Sequence, residues 1–223
     1  MGYHINLENI TLEVYEQKLA VAWLPPSRRI LQERLAERFE YFREADIKNL
    51  KELQRQLKQS KLLKKLSELP LFEGDYLVIL LREINSMLPK PNRLKDFPGI
   101  PQTATEKLEA MGIKDTKHLF DKVLTPQQRQ NLAMESELPL DLIHELASLT
   151  DLSRIKWVGA IFARVLFDLG IKNVRDAAGT DPVELHQKVN ELNSQRQYYK
   201  GKIGLNDMRI FVAAAADVRE EIV

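Results

Sequence analysis

Two stretches of this chain align without a gap. Leu94 to Leu119 reads LKDFPGIPQTATEKLEAMGIKDTKHL and Leu152 to Ala177 reads LSRIKWVGAIFARVLFDLGIKNVRDA. The separation of 58 residues puts Leu94 on Leu152, Phe97 on Ile155, Leu108 on Leu166, and Gly112-Ile113-Lys114 on Gly170-Ile171-Lys172. Internal repetition narrows the choice of folds more than any single motif, because a structure that suits one copy must suit the other. A weaker third copy ends in FREADIKNLKEL, Phe42 to Leu53, where Asp46-Ile47-Lys48 matches Gly112-Ile113-Lys114.

The repeated unit is helical. Apolar residues recur at helical spacing, Gly112 and Gly170 are placed to end a helix with φ > 0, and capping residues follow. Ser60, Thr125-Pro126 and Asp181-Pro182 each read as an N-cap opening the next helix, the latter two with Pro at the first helical position. Upstream, Leu31, Leu35, Phe39 and Phe42 form one apolar stripe, predicting a helix from Arg28 to Ala45 capped by Ser27. The expected fold class is all-α, built from tandem duplicated helix-hairpin-helix-like bundles. Two prolines in Met87-Leu-Pro-Lys-Pro-Asn92 mark a divide. An N-terminal helical domain is therefore expected over residues 1–90, and a C-terminal domain over 91–223 with repeats at about 94–150 and 152–217.

Composition excludes several kinds of chemistry. The chain of 223 residues has no Cys, which removes disulfides, thiol nucleophiles, Cys-ligated zinc and iron–sulfur clusters. Its N-terminal residues lack the pattern of a secretion signal, and Leu77–Leu81 is far too short to span a bilayer, so a cytoplasmic location is the expectation. His4, His118, His144 and His186 are scattered with no metal-ligand spacing, and no Gly-rich phosphate loop or nucleophile elbow appears. The carboxylates alternate with Lys and Arg as on solvated faces. These features point away from an enzyme and imply no cofactor and no metal.

One mechanism does emerge from the repeats. Phe97-Pro98-Gly99-Ile100-Pro101 and Ile155-Lys156-Trp157-Val158-Gly159 each sit between two helices and resemble the helix-hairpin-helix motif, with Ala163 and Leu166 following at the motif's spacing. Backbone N–H groups at such a helix start, aided by the helix dipole, suit a phosphate oxygen. Both hairpins depart from the pattern: Pro101 has no N–H to donate, and Trp157 stands where the motif has glycine. The expected contacts to a nucleic-acid backbone, DNA or RNA, are Gly159 and Ala160 through their N–H groups and Arg154, Lys156 and Arg164 through their charges. Lys95, Thr103 and Lys107 are the counterparts in the preceding copy. The alternative is a protein–protein interaction scaffold in which the hairpins only join helices, with Trp157 and Phe97 buried.

Leu146 to Val158, Gly170 to Val174, Asp181 to His186, Val189-Asn-Glu191 and Lys200 to Met208 are similar to the bacterial family called domain of unknown function forty-three thirty-two. The similarity spans residues 94–217 and, more weakly, the N-terminal copy. It implies a tandem helix-hairpin-helix-like helical fold, and it implies no reaction, ligand or catalytic residue.

Charge is balanced overall, 33 Lys+Arg against 32 Asp+Glu, but not locally. Between residues 48 and 65 stand Lys48, Lys51, Arg55, Lys58, Lys61, Lys64 and Lys65 against the single acid Glu52. On a helix, Lys48, Lys51, Arg55 and Lys58 fall opposite Leu50, Leu53 and Leu57. This is either a solvated face over a core or a landing strip for phosphates.

Overall fold

The computed structural model describes residues 2–223, and the regular elements among them are all helices. The chain separates into two compact units, one formed by Asn6–Met87 and the other by Leu88–Val223 together with residues 2–5. Assigning all of residues 1–90 to one domain is thus corrected at both ends. Residues 2–5 join the C-terminal unit because the Tyr3 ring is buried there, its hydroxyl 2.7 Å from Thr116 Oγ1.

In the N-terminal unit, α1 (Leu12–Val21) is opened by Thr11, whose hydroxyl accepts the Val14 N–H. The helix expected from Arg28 to Ala45 is broken. Pro26–Gln32 is a 3-10 stretch with no cap from Ser27, Arg34 takes φ 46°, and α2 occupies only Leu35–Glu44. The apolar stripe runs across the break, so periodicity alone could not reveal it. Buried Arg38 stabilises the broken form: its guanidinium donates to Ile30 O at 2.9 Å, Glu33 O at 2.8 Å and Leu71 O at 2.9 Å. Two of those carbonyls belong to residues that a continuous helix would have bonded internally. α3 (Leu50–Leu57) is capped by Asn49, while α4 (Ser60–Ser67) has Gln59 as its cap, one residue before the expected Ser60. α5 (Tyr76–Ser86) packs on α3 and completes a core in which Phe42, Phe72 and Tyr76 stack face to face.

The C-terminal unit carries the two strong copies. Copy two contains α6 (Gln102–Ala110) and α7 (Thr116–Phe120), followed by α8 (Pro126–Ser136) and α9 (Leu140–Leu152). Copy three contains α10 (Ala160–Asp168) and α11 (Val174–Ala178), then α12 (Pro182–Arg196) and α13 (Leu205–Ala215). α6 and α10 start and end at the same repeat positions, as do α7 and α11. Gly112 and Gly170 have φ 83° and 86°, and the N–H of the residue after each bonds back to Leu108 O or Leu166 O. Caps agree too: Asp115 and Asn173 open α7 and α11, and Thr125 and Asp181 open α8 and α12. α9 is the hub, with α7, α8, α10 and α11 all packed on it.

The weaker copy in the N-terminal unit makes the same turn with a different residue, since Asp46 has φ 56°. A methyl group added at Gly112 or Gly170 would meet no atom within 4 Å, so the need for glycine is purely conformational. Gly112→Ala and Gly170→Ala are each expected to destabilise by about 1 kcal/mol, and Asp46→Gly to stabilise by up to about 1 kcal/mol. Urea denaturation of the three variants checks the signs and the near-equality of the first two.

Candidate nucleic-acid interface

The two hairpins share one backbone path. In copy two, buried Phe97 precedes Gly99 at φ 84°, and extended Pro101 leads into α6. In copy three, Trp157 takes the Gly99 position and accepts the left-handed conformation, φ 66°, before Gly159 leads into α10. A non-glycine residue pays for that region, and for a bulky side chain it is an outlier. Trp157 is not packed away: it is 48% exposed, and burial falls on Ile155 and Val158 beside it. Of the two aromatics expected to be buried under the scaffold alternative, only Phe97 is.

α6 and α10 also share an open start. Neither has a side-chain cap, whereas α7, α8, α11 and α12 all do. Gly159 is exposed, Ala160 is half-buried, and both line a cleft of about 460 Å³ bounded by Ile161, Phe162 and Tyr199. Asp96 lines the same cleft, so a phosphate approaching from that side meets a carboxylate.

The two arginines expected at the phosphate face inward. The Arg154 side chain is 2% exposed; it pairs with Asp151 at 2.5 Å, donates to Tyr3 O and Arg219 O, and lies over the Phe120 ring. Asp151 uses its other oxygen to accept the Val174 N–H, the first of α11, at 2.9 Å. Burial raises the Asp151 carboxyl above its ordinary value, a rise that Arg154 opposes. Arg164 is likewise buried, paired with Glu145 and with Asp168, and a β-carbon added at Gly99 of the preceding hairpin would lie 3.6 Å from its guanidinium. These arginines are structural because water-excluded cations must be paired, and their partners lie outside the hairpin sequence.

The remaining expected residues are at the surface. Lys156 is half-buried, with its ammonium 4.2 Å from the centre of the Trp157 ring. Thr103 is exposed in the first turn of α6, and Lys107 is exposed and ion-paired with Glu137 at 3.4 Å. Lys95 lines a second cleft, of about 520 Å³, with Lys90, Arg93 and Lys114. Those three were not among the expected site residues. Only the Lys90-Pro-Asn-Arg-Leu-Lys95 run hints at them, and Lys114 joins them through the fold.

In the N-terminal unit the basic run is exposed to solvent along its length. Lys48, Lys51, Arg55, Lys58, Lys61, Lys64 and Lys65 are all exposed on or beside α3 and α4, while Leu50, Leu53, Leu57 and Leu66 are buried behind them. Lys48 reaches Asp46 at 3.8 Å, and among the described residues the other six make no ion pair. Glu52 is turned to the Lys48 N–H at 2.9 Å.

Among the described residues no group of three His, Asp or Glu side chains could hold a metal ion, and no helix is long and apolar enough to cross a membrane. An all-α protein of duplicated helical units is thus defined. The model of a family described as domain of unknown function (DUF4332) matches residues 98–218, over half of the chain, and the chain belongs to that family. No curated protein and no solved structure matches it.

Arg154→Gln is expected to destabilise by about 3–5 kcal/mol by leaving Asp151 buried without its partner, where a surface phosphate ligand would cost almost nothing. Denaturation curves distinguish the two. Burial also pushes the Tyr3 phenol up to about 12, with the Thr116 hydrogen bond partly opposing the rise. The folded chain therefore holds this proton to higher pH than the unfolded chain, whose phenol ionises near about 10. Stability from neutral Tyr3 is complete below about pH 10 and is lost toward about pH 12, at up to about 1.4 kcal/mol per pH unit. Tyr3→Phe should remove that part of the alkaline slope, read from unfolding free energies between about pH 9 and about pH 11.

Proposed function

We propose that this chain is a non-enzymatic module that binds nucleic acid through backbone phosphates, with the cationic face of α3 and α4 as its main contact. The observation that carries the reading is the concentration of seven exposed cations within residues 48–65, on or beside α3 and α4, six of them without an ion pair among the described residues. A helix face needs no such charge to bury its leucines, and a dense positive stripe attracts polyanions even on a neutral protein. The uncapped starts of α6 and α10 are secondary contacts, supplied by the Thr103 region and by Gly159 and Ala160, with Lys95, Lys107 and Lys156 nearby. Contacts of this kind fix position on a backbone without reading bases.

A second reading is favoured by a different observation. Trp157 and Ile161 are both exposed, and Ile161 lines the largely apolar cleft at the start of α10, which suits a protein partner. Capture from native lysate with and without nuclease separates the two, because a partner retained after nuclease treatment is bound through protein.

The direct test is salt-dependent binding to duplex and single-stranded DNA and RNA. Lys51→Gln, Arg55→Gln and Lys58→Gln together should weaken binding and flatten its salt slope by up to about one unit per lost phosphate contact, without loss of helicity. Gly159→Ala isolates the hairpin, since Gly159 has an ordinary extended backbone and a methyl group there meets nothing within 4 Å. Unchanged affinity and slope in the triple variant, or no binding at low salt, would overturn the proposal.

A further inference from the structure

We infer that the cleft beside Arg93 and Asp115 is a binding site for a small oligophosphate, a ligand with two or three linked phosphate groups. The cleft lies within the C-terminal unit, has a volume of about 520 Å³, and is lined by Lys90, Arg93, Lys95, Lys114, Glu109 and Asp115. That volume falls inside the range of ordinary small-molecule sites, about 300–1,000 Å³.

The backbone brings the cations together. Arg93 and Asp115 form an antiparallel bridge, in which the Leu94 N–H donates to Lys114 O at 3.1 Å and the Thr116 N–H to Asn92 O at 2.9 Å. The segment carrying Lys90, Arg93 and Lys95 is thereby held against the turn carrying Lys114, and all four side chains are exposed. Among the described residues none of the four makes an ion pair. Asp115 is committed elsewhere: it accepts the Lys117 and His118 N–H groups at 3.1 and 3.0 Å and sits 2.6 Å from His118 Nδ1. Glu109 is the one other carboxylate in the lining, and four cations outweigh it.

The other copies act as internal controls for what the fold itself needs. Copy three has Ser148, Asp151, Ser153 and Lys172 at the positions of Lys90, Arg93, Lys95 and Lys114. The N-terminal unit repeats the bridge as Thr11 with Asn49, and the corresponding residues there are Glu8, Thr11, Glu13 and Lys48. The turn lysine is common to all three copies, whereas the three cations facing it occur only in copy two. Packing does not demand them. They are grouped in a concavity, unlike the run on α3 and α4, and a guanidinium with three ammonium groups matches linked phosphates better than a single one.

Calorimetric titration of the full chain with sodium pyrophosphate and with tripolyphosphate, against orthophosphate and sulfate, tests the site at about 0.1 M salt, where distant surface charges are screened. The expected result is one saturable site for the linked phosphates, tighter than for orthophosphate. Arg93→Gln with Lys114→Gln should weaken it by about tenfold or more, and the Lys51, Arg55 and Lys58 triple variant should leave it unchanged. If the first pair does not fold, Lys90→Gln with Lys95→Gln carries the same expectation. Absence of saturable binding, parent-like affinity in the cleft variant, or equal loss in the α3 variant would overturn the assignment. So would a cleft variant that loses duplex DNA affinity in a chain that does not bind pyrophosphate, because the cleft would then belong to a nucleic-acid face. The inference does not depend on nucleic-acid binding, and either can fail alone.

Discussion

The guanidinium of Arg154 is withdrawn from water, and the C-terminal unit is arranged around satisfying it. A buried cation is tolerated only when it is paired and hydrogen-bonded on every side. Here Asp151 supplies the countercharge, Tyr3 and Arg219 supply carbonyls, and Phe120 supplies a ring face. Those partners come from α9, the residues preceding the N-terminal unit, the segment after α13, and α7. One side chain thus joins four separate parts of the chain. Asp151 extends the arrangement by accepting the first N–H of α11, that of Val174, with its second oxygen. In copy two the equivalent position is Arg93, which meets its turn through backbone bonds alone. The duplicated unit therefore has two ways of clamping the same turn, a backbone bridge in one copy and a buried carboxylate in the other.

Much of this was legible in the residues. The gapless repeat identified equivalent helices, the left-handed turns at Gly112 and Gly170 follow from glycine's lack of a β-carbon, and Thr125-Pro126 and Asp181-Pro182 announced their helices through local chemistry. Such features depend on neighbours in sequence, which is why they can be read there. The break at Arg34 could not, because the carbonyls it frees are satisfied by Arg38 and their fate depends on tertiary contacts. Arg154 and Arg164 were misread for the same reason. Beside a hairpin, an arginine in one dimension looks like a phosphate ligand, and only the carboxylates of Asp151, Glu145 and Asp168 reveal otherwise. Trp157 errs in the opposite direction: its size argues for burial, while its left-handed backbone leaves it half in solvent.

Charge illustrates how averages mislead. A net charge of +1 argues against a polyanion-binding protein when taken over the whole chain. The arginines of the C-terminal unit, however, are largely consumed internally. Arg129 donates to Val123 O and Val223 O, Arg164 and Arg196 share Asp168, and Arg175 pairs with Glu220. Cations without a carboxylate partner are concentrated in two places, the exposed run on and beside α3 and α4 and the cleft at the Arg93–Asp115 bridge. What a partner feels is this local surplus, since screening limits its reach to about 10 Å at ordinary ionic strength.

The position of Tyr3 has a consequence for how the chain acquires its structure. Its bonds to Thr116 and Arg154 span more than a hundred residues, and the residues of the whole N-terminal unit lie between the bonded partners in sequence. During synthesis at about 5–20 residues per second, the segment bearing Tyr3 waits roughly 8–30 s for Arg154 to be made. Asn6–Met87 has all of its own core available well before then, so it can form first on the ribosome. The final docking of residues 2–5 must then close a loop that contains an already folded body. Such a loop is far shorter in effect than its residue count, and the entropy of closing it is correspondingly reduced.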